Sequence, residues 1–334
     1  MQVFIHIGTN KTGTTAFQSY ALKNRKALEL AGLLYPKTGL GEGTAGPEHH
    51  YRLARALANG GPAASEMCAD LAAELSKSRA GKAIWSSEFF VDVTRPGPLA
   101  EGLKEHDCKV IVYLRRHDFW VDSMFNQAIK MTRRPQWKPD IEDFIRDKKE
   151  RQSHWFSFAR LLQTWSSAFG KENVIVRPYR SLQRMDIHKE ILDLVGVERA
   201  ALPPPHKAKR AVNGSLSRRQ LAAIDFFQRS DMPDEQVRDI IQQVIRHDDS
   251  ARPRSLMPAH VAAGLVCDNA DDYAMIAREY LGRADGILFD EPMPKMLNAD
   301  DDVGPLDPEE GMAIGLGHFA SCAWCLESGV RRLA

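Results

Sequence analysis

The chain has little of what marks several large classes of protein. Its 334 residues contain only five cysteines, Cys68, Cys108, Cys267, Cys322 and Cys325, scattered and odd in number. That pattern argues against a disulfide framework and points to reduced thiols in a cytoplasmic chain. Charge of one sign is not in excess. The formal net charge is +1, so no global attraction to nucleic acid or to an anionic membrane is built in. Any anion site must therefore be made locally. No apolar run reaches the roughly 20 residues that a membrane span needs. A strand-like run begins at once, so no signal peptide is expected.

What is present is concentrated in the first fifteen residues, MQVFIHIGTNKTGTT. Val3 to Ile7 is apolar and rich in β-branched residues, as suits a central parallel strand buried on both faces. Gly8 stops it, and Gly13 follows five positions later. From Thr14 the pattern turns helical, with Phe17, Ala21, Leu28 and Ala31 close to one face. Strand, glycine-spaced loop and helix form a phosphate cradle, because loop amides and a helix N-terminus converge on an anion. The same glycine spacing in isolation also describes an ordinary βα turn.

The loop lacks one expected residue. Nucleotide triphosphatases read GxxxxGK[ST], but here Thr14 and Thr15 follow the second glycine and the lysine is Lys11, inside the loop. GTNKTGTT resembles the 5′-phosphosulfate-binding loop of sulfotransferases that use 3′-phosphoadenosine 5′-phosphosulfate (PAPS). HIGTNKTGTTAFQ followed by NRKALELAGLLYP resembles the bacterial, carbohydrate-type branch of that family. The resemblance implies an α/β, three-layer fold of P-loop nucleotide-binding type, with a central, mainly parallel sheet flanked by helices. It implies that Asn10, Lys11, Thr12, Gly13, Thr14 and Thr15 bind the donor, and that Lys11 stabilises the leaving phosphate.

Further along, Gly32 is placed to end a helix, and LLYP is a short extended piece. Gly39 to Pro47 holds four glycines and reads as a loop. His49 and His50 open a helix-like stretch to about Ala58. Two solvated residues in a first turn is the plain reading; the resemblance puts this region beside the acceptor and makes His50 a candidate substrate contact. Ala63 to Ser78 is an amphipathic helix with Met67, Leu71 and Leu75 on one face.

Lys82 to Ser87 reads as the next strand, with Glu88 directly after it. Ligands of open parallel sheets sit beyond the carboxyl ends of strands, so Glu88 belongs at the rim. A carboxylate there can take a proton from an acceptor hydroxyl; it can equally be a surface residue or pair with Lys11. SSEFF resembles the glutamate segment of glycan sulfotransferases, which implies that Glu88 is the base. Lys109 to Leu114 is another apolar strand, followed by Arg115 and Arg116 and a helix from about His117 to Met131. Where a triphosphatase would often carry an acidic Mg²⁺ partner, this chain has arginines. Arg115 and Ser123, eight positions apart, can bring a guanidinium fork and a hydroxyl onto one phosphate. YLRRHDFWVDSMFNQ resembles the family's 3′-phosphate motif and implies that role for both.

Ile141 to Ile145 opens a short helix, His154 to Phe169 reads as one amphipathic helix ended by Gly170, and Asn173 to Val176 as a strand. A helix over Ile187 to Val195 follows. Pro203 to Pro205 marks a linker. HKAKRAVNGSLSRR then carries Lys207, Lys209, Arg210, Arg218 and Arg219, either a local anion site or a solvated loop. NGSLS resembles the nucleotide-covering loop of the bacterial enzymes, implying Arg210, Asn213 and Ser215 as donor contacts. Helices are expected over Leu216 to Phe227, Asp234 to Ile245 and Asp271 to Leu281. LGRADGILFDEPMP resembles the family's closing segment, so the sulfotransferase-like domain is expected to span residues 1–294. Residues 295–334 form an extension, an acidic loop then a helix. Its Cys322 and Cys325 form a lone CxxC, read as two thiols rather than a zinc or redox centre.

The resemblance as a whole implies sulfuryl transfer from PAPS to a hydroxyl or amine, with a carbohydrate or glycolipid as acceptor, PAP as product and no metal required. Two alternatives stay open: a P-loop, ATP-dependent kinase or nucleotidase, and a catalytically silent PAP-binding regulator. The residues leave the oligomeric state open.

Overall fold

The structure is a computed structural model that describes residues 1–41, 48–183, 185–205, 216–246, 255–294, 305–307 and 309. In chain order its elements are β1 (Gln2–His6), α1 (Thr15–Lys23), α2 (Arg25–Leu30), β2 (Leu33–Leu34), α3 (Tyr51–Asn59), α4 (Pro62–Lys77) and β3 (Lys82–Ser86). Next come α5 (Gly97–Gly102), β4 (Asp107–Arg115), α6 (His117–Met131), α7 (Ile141–Arg151), α8 (Phe158–Phe169) and β5 (Val174–Tyr179). The last are α9 (Ile187–Leu194), α10 (Arg218–Arg229), α11 (Asp234–Arg246), α12 (Ala259–Asp268) and α13 (Ala270–Leu281).

The chain divides into two compact units. The first comprises Met1–His117, Gln152–Lys209 and Val266–Pro292. It holds a five-stranded sheet in the order β2-β3-β1-β4-β5, with every pairing parallel. The apolar runs explain the order: β1, β3 and β4 lie innermost, where both faces are covered. Val3, Ile5, Trp85, Val110 and Val112 turn to one side and pack with Leu71, Leu162 and Ile276 from helices α4, α8 and α13. Phe4, Ile84, Ile111 and Tyr113 turn to the other side and pack with Phe17, Leu28 and Ile191 from α1, α2 and α9. Helix, sheet and helix make three layers, and the α/β expectation holds. After β1 the chain goes out to β2, returns to β3 and then crosses β1 to β4, so the β1 loop lies where the strand order reverses, the place such sheets present ligands.

Three local readings change. The helix expected from Thr14 onward breaks at Asn24, whose φ is −110°. Its side-chain nitrogen and its own amide both donate to Tyr20 O, a local bond that competes with helix continuation. The helix expected from His154 begins only at Phe158. Ser157 is extended and its hydroxyl accepts from Arg160 N, an N-cap with a short 3₁₀ turn over Ser153–Phe156 before it. Helix α7 continues six residues past Ile145 because its charged second half pairs internally, as Arg151 does with Asp147.

The second unit comprises Asp118–Arg151, Arg210–Leu265 and Met293–Ala334. Ser217 and Gln220 close a capping box at the start of α10. Arg133 latches the turn into α11, its Nη2 donating to Ser230 O and Met232 O at 3.1 and 2.8 Å and its Nε to Asp234 at 3.0 Å. Among the described residues no helix is long and apolar enough to cross a membrane.

Candidate functional site

The first unit gathers its chemistry around the loop from Gly8 to Thr14. The ladder runs on past β1, with Ile7 N donating to Ile111 O and Thr9 N to Tyr113 O. Thr9 Oγ1 also donates to Tyr113 O at 3.0 Å, and Thr12 Oγ1 to Thr9 O at 2.7 Å. These bonds turn the Thr9 and Thr12 side chains inward, so Thr12 can offer a ligand only its main-chain amide. A Cβ on Gly8 would lie 2.9 Å from His6 Nε2, closer than packing allows. Gly13 has a φ of +76° and Lys11, a non-glycine, +67°. A left-handed lysine is held against its own preference, the kind of strain found where a loop must present its amides one way.

The loop runs into α1 without a side-chain cap at Thr14. The amides of Gly13, Thr14 and Thr15 make no main-chain hydrogen bond among the described residues. Such N–H groups at a helix N-terminus, next to a lysine, are the kind of donors that can hold an anion. Asn10 and Lys11 are half-buried; Gly13 and Thr15 are exposed, while the Thr14 side chain is buried.

Arg115, the last residue of β4, reaches this loop. Its Nη1 donates to Lys11 O at 2.8 Å and its Nε to Ser181 Oγ at 3.0 Å. Its guanidinium carbon lies 5.4 Å from the Tyr179 ring centroid, a cation–π contact. Ser181 N donates to Glu291 Oε1 at 2.7 Å. Arg116 is buried and donates to Glu291 O and Pro292 O at 2.8 and 2.9 Å. The chain after β5 and the segment ending at Pro292 therefore brace the arginine that holds the loop. Ser181 and Glu291 carry no sequence signal, because nothing local marks a serine or a glutamate as a brace.

Glu88 follows β3 and is half-buried at the start of a short 3₁₀ turn capped by Ser87. Gln18, on α1, donates from Nε2 to Glu88 Oε2 at 3.3 Å and to Ser86 Oγ at 3.1 Å. The loop and Glu88 are thus tied to one helix. Gln18 went unread in the sequence, although a polar residue beside Phe17 on a buried stripe is itself a signal.

His50 does a different job from the one expected of it. It is fully buried rather than solvated. Ser86 N donates to its Nδ1 at 3.0 Å, and its Nε2 lies 3.0 Å from Pro36 O. Both ring nitrogens serve the main chain, leaving none for a substrate, and burial pushes the ring pKa down to about 4. His49 is also buried and stacks on Phe89 at 5.5 Å. Ser123 is half-buried on α6 and falls in the second unit. Arg210, Asn213 and Ser215, and the pair Cys322 and Cys325, lie outside the described residues. Among the described residues no three His, Cys, Asp or Glu side chains are grouped to hold a metal ion.

No protein-family profile matches the chain. An uncharacterised protein of Archaeoglobus fulgidus is 27% identical over 111 residues, which is 33% of this chain and 27% of that protein. The chain therefore matches about a quarter of that relative's length. The crystal structure of a sulfotransferase from Alicyclobacillus acidocaldarius superposes over 75% of this chain and 98% of its own, with 15% identity and a TM-score of 0.39.

Proposed function

We propose that this protein is a sulfotransferase that uses PAPS as donor and a hydroxyl or amine, on a carbohydrate or glycolipid, as acceptor. The observation that carries the reading is the grip of Arg115 on the Lys11 carbonyl at 2.8 Å. It puts the two cationic residues of separate sequence motifs at one loop. The motif spellings around Lys11, Glu88 and Arg115 support the same reading.

PAPS supplies the sulfuryl group and departs as PAP. The chain's part is positioning and charge stabilisation. The amides of residues 12–15 and the Lys11 ammonium hold the 5′ end and offset charge on the leaving oxygen. Arg115 recognises the 3′-phosphate that separates PAPS from ATP. Glu88 takes the acceptor proton and returns it to solvent.

Calorimetry with PAP, ATP and ATP plus Mg²⁺ tests the donor, and a ³⁵S-PAPS screen over glycans and glycosides tests the acceptor. Binding of PAP without Mg²⁺, followed by label transfer, is expected. Tight binding of Mg²⁺-ATP with none of PAP would replace the reading by a kinase or nucleotidase. PAP binding with no transfer to any acceptor would leave a regulator.

A further inference from the structure

Behind Glu88 stands a chain of buried polar side chains that the transfer reading does not use. His6, at the end of β1, is 0% exposed, Ser86 0% and Gln18 1%. His6 Nδ1 lies 2.8 Å from Ser86 Oγ. Gln18 Nε2 lies 3.1 Å from Ser86 Oγ and 3.3 Å from Glu88 Oε2. Buried polar groups are costly unless bonded, so their donor and acceptor capacities decide the arrangement.

A carboxylate only accepts. The amide nitrogen of Gln18, not its oxygen, must therefore face Glu88, and its second hydrogen goes to Ser86 Oγ. Ser86 Oγ meets His6 Nδ1 on its other side, as donor or acceptor according to the tautomer of the ring. Burial holds the His6 pKa near 3, so the ring stays neutral.

We propose that Gln18 is a positioning residue for Glu88. Its amide, locked from behind by Ser86 and His6, holds one carboxylate oxygen so that the other faces the acceptor hydroxyl beside the loop. The proposal rests on the reading of Glu88 as the base. The three residues hold the base still rather than relay its proton.

Gln18→Leu keeps the volume and removes both donors; Gln18→Asn keeps the polarity but is too short to reach both partners, and serves if Gln18→Leu does not fold. Crystal structures of parent and variant come first. Glu88 is expected in one rotamer in the parent, and displaced or spread over several in the variant, with the Arg115 to Lys11 bond intact. In ³⁵S transfer, kcat is expected to fall about 10- to 100-fold, the scale of a small misplacement. KM for PAPS and the Kd of PAP should stay within about twofold. Added to Glu88→Gln, Gln18→Leu should cost nothing further, because residues acting as a unit are not additive. A Glu88 carboxylate that stays in place, or a loss that adds in full to Glu88→Gln, would overturn the proposal. If Glu88→Gln alone kept full transfer, the base assignment would fall instead, and the crystal comparison would still decide whether Gln18 holds Glu88.

Discussion

Arg115 Nη1 donates to the main-chain oxygen of Lys11 at 2.8 Å. The end of one strand thereby holds the strained residue at the centre of the loop that follows its neighbour. A guanidinium suits this place because its fork can serve Ser181 and the loop together, which a lysine ammonium on a flexible stem does less well.

Removing that fork should be felt in nucleotide binding. A charge-assisted contact contributes about 1.5–3 kcal/mol, so Arg115→Ala should weaken PAP binding about 10- to 100-fold. Arg115→Lys should recover part of it. Calorimetry reads both, and an unchanged dissociation constant in Arg115→Ala would take this residue out of the site.

The two left-handed positions should respond in opposite directions. Lys11→Gly relieves the +67° φ and should leave stability unchanged or raise it by up to about 1 kcal/mol, while abolishing transfer. Gly13→Ala forces a side chain onto a φ of +76° and should lose about 1–2 kcal/mol. Urea unfolding gives both numbers. A Lys11→Gly variant less stable than the parent would show that the lysine side chain, not the ligand, justifies the strain.

Glu88→Gln should lose transfer and keep PAP affinity within about twofold, since a base acts on the acceptor proton rather than on the donor. A parallel loss of PAP binding would place Glu88 among the donor contacts.

Acid should weaken the fold through two histidines. Burial lowers the pKa of His6 from 6.5 to about 3 and of His50 from 6.5 to about 4. Below pH 6.5 the unfolded chain takes up protons that the folded one refuses, so stability is full at neutral pH and falls as pH drops. The loss runs from about 6.5 down to about 4 for His50 and about 3 for His6. Between pH 7 and 5 each should remove about 1–2 kcal/mol. Urea titrations at several pH values, repeated on His50→Gln, should show a shallower slope in the variant; equal slopes would remove His50 from the effect.

The sheet was legible because β1, β3 and β4 are continuous apolar runs, and only a strand covered on both faces is written that way. Asn24 and Ser157, which end or start helices through single side-chain bonds, were not. Helix α12 went unread because Ala259–Asp268 is apolar without a clear stripe, and only Asn269 separates it from α13. The solvated first turn expected of His49 and His50 failed for a related reason. Adjacent polar residues read as surface, and the carbonyl of Pro36 and the amide of Ser86 that let His50 be buried come from distant segments. Lys11, Glu88 and Arg115 stand out by their motif spellings and Gln18 only as a polar residue beside Phe17, whereas Ser181 and Glu291 meet their partners through contacts that no local pattern encodes.

The bond from Glu291 to the Ser181 amide has a consequence for how the protein is made. The loop from Gly8 to Thr14 is synthesised well before the brace behind its arginine, which ends at residue 291. A nascent chain halted before that point would carry the whole parallel sheet with Ser181 lacking its carboxylate and Arg116 lacking both carbonyls. Ligand-competent geometry is therefore expected only late in translation, a delay typical of contacts far apart along the chain.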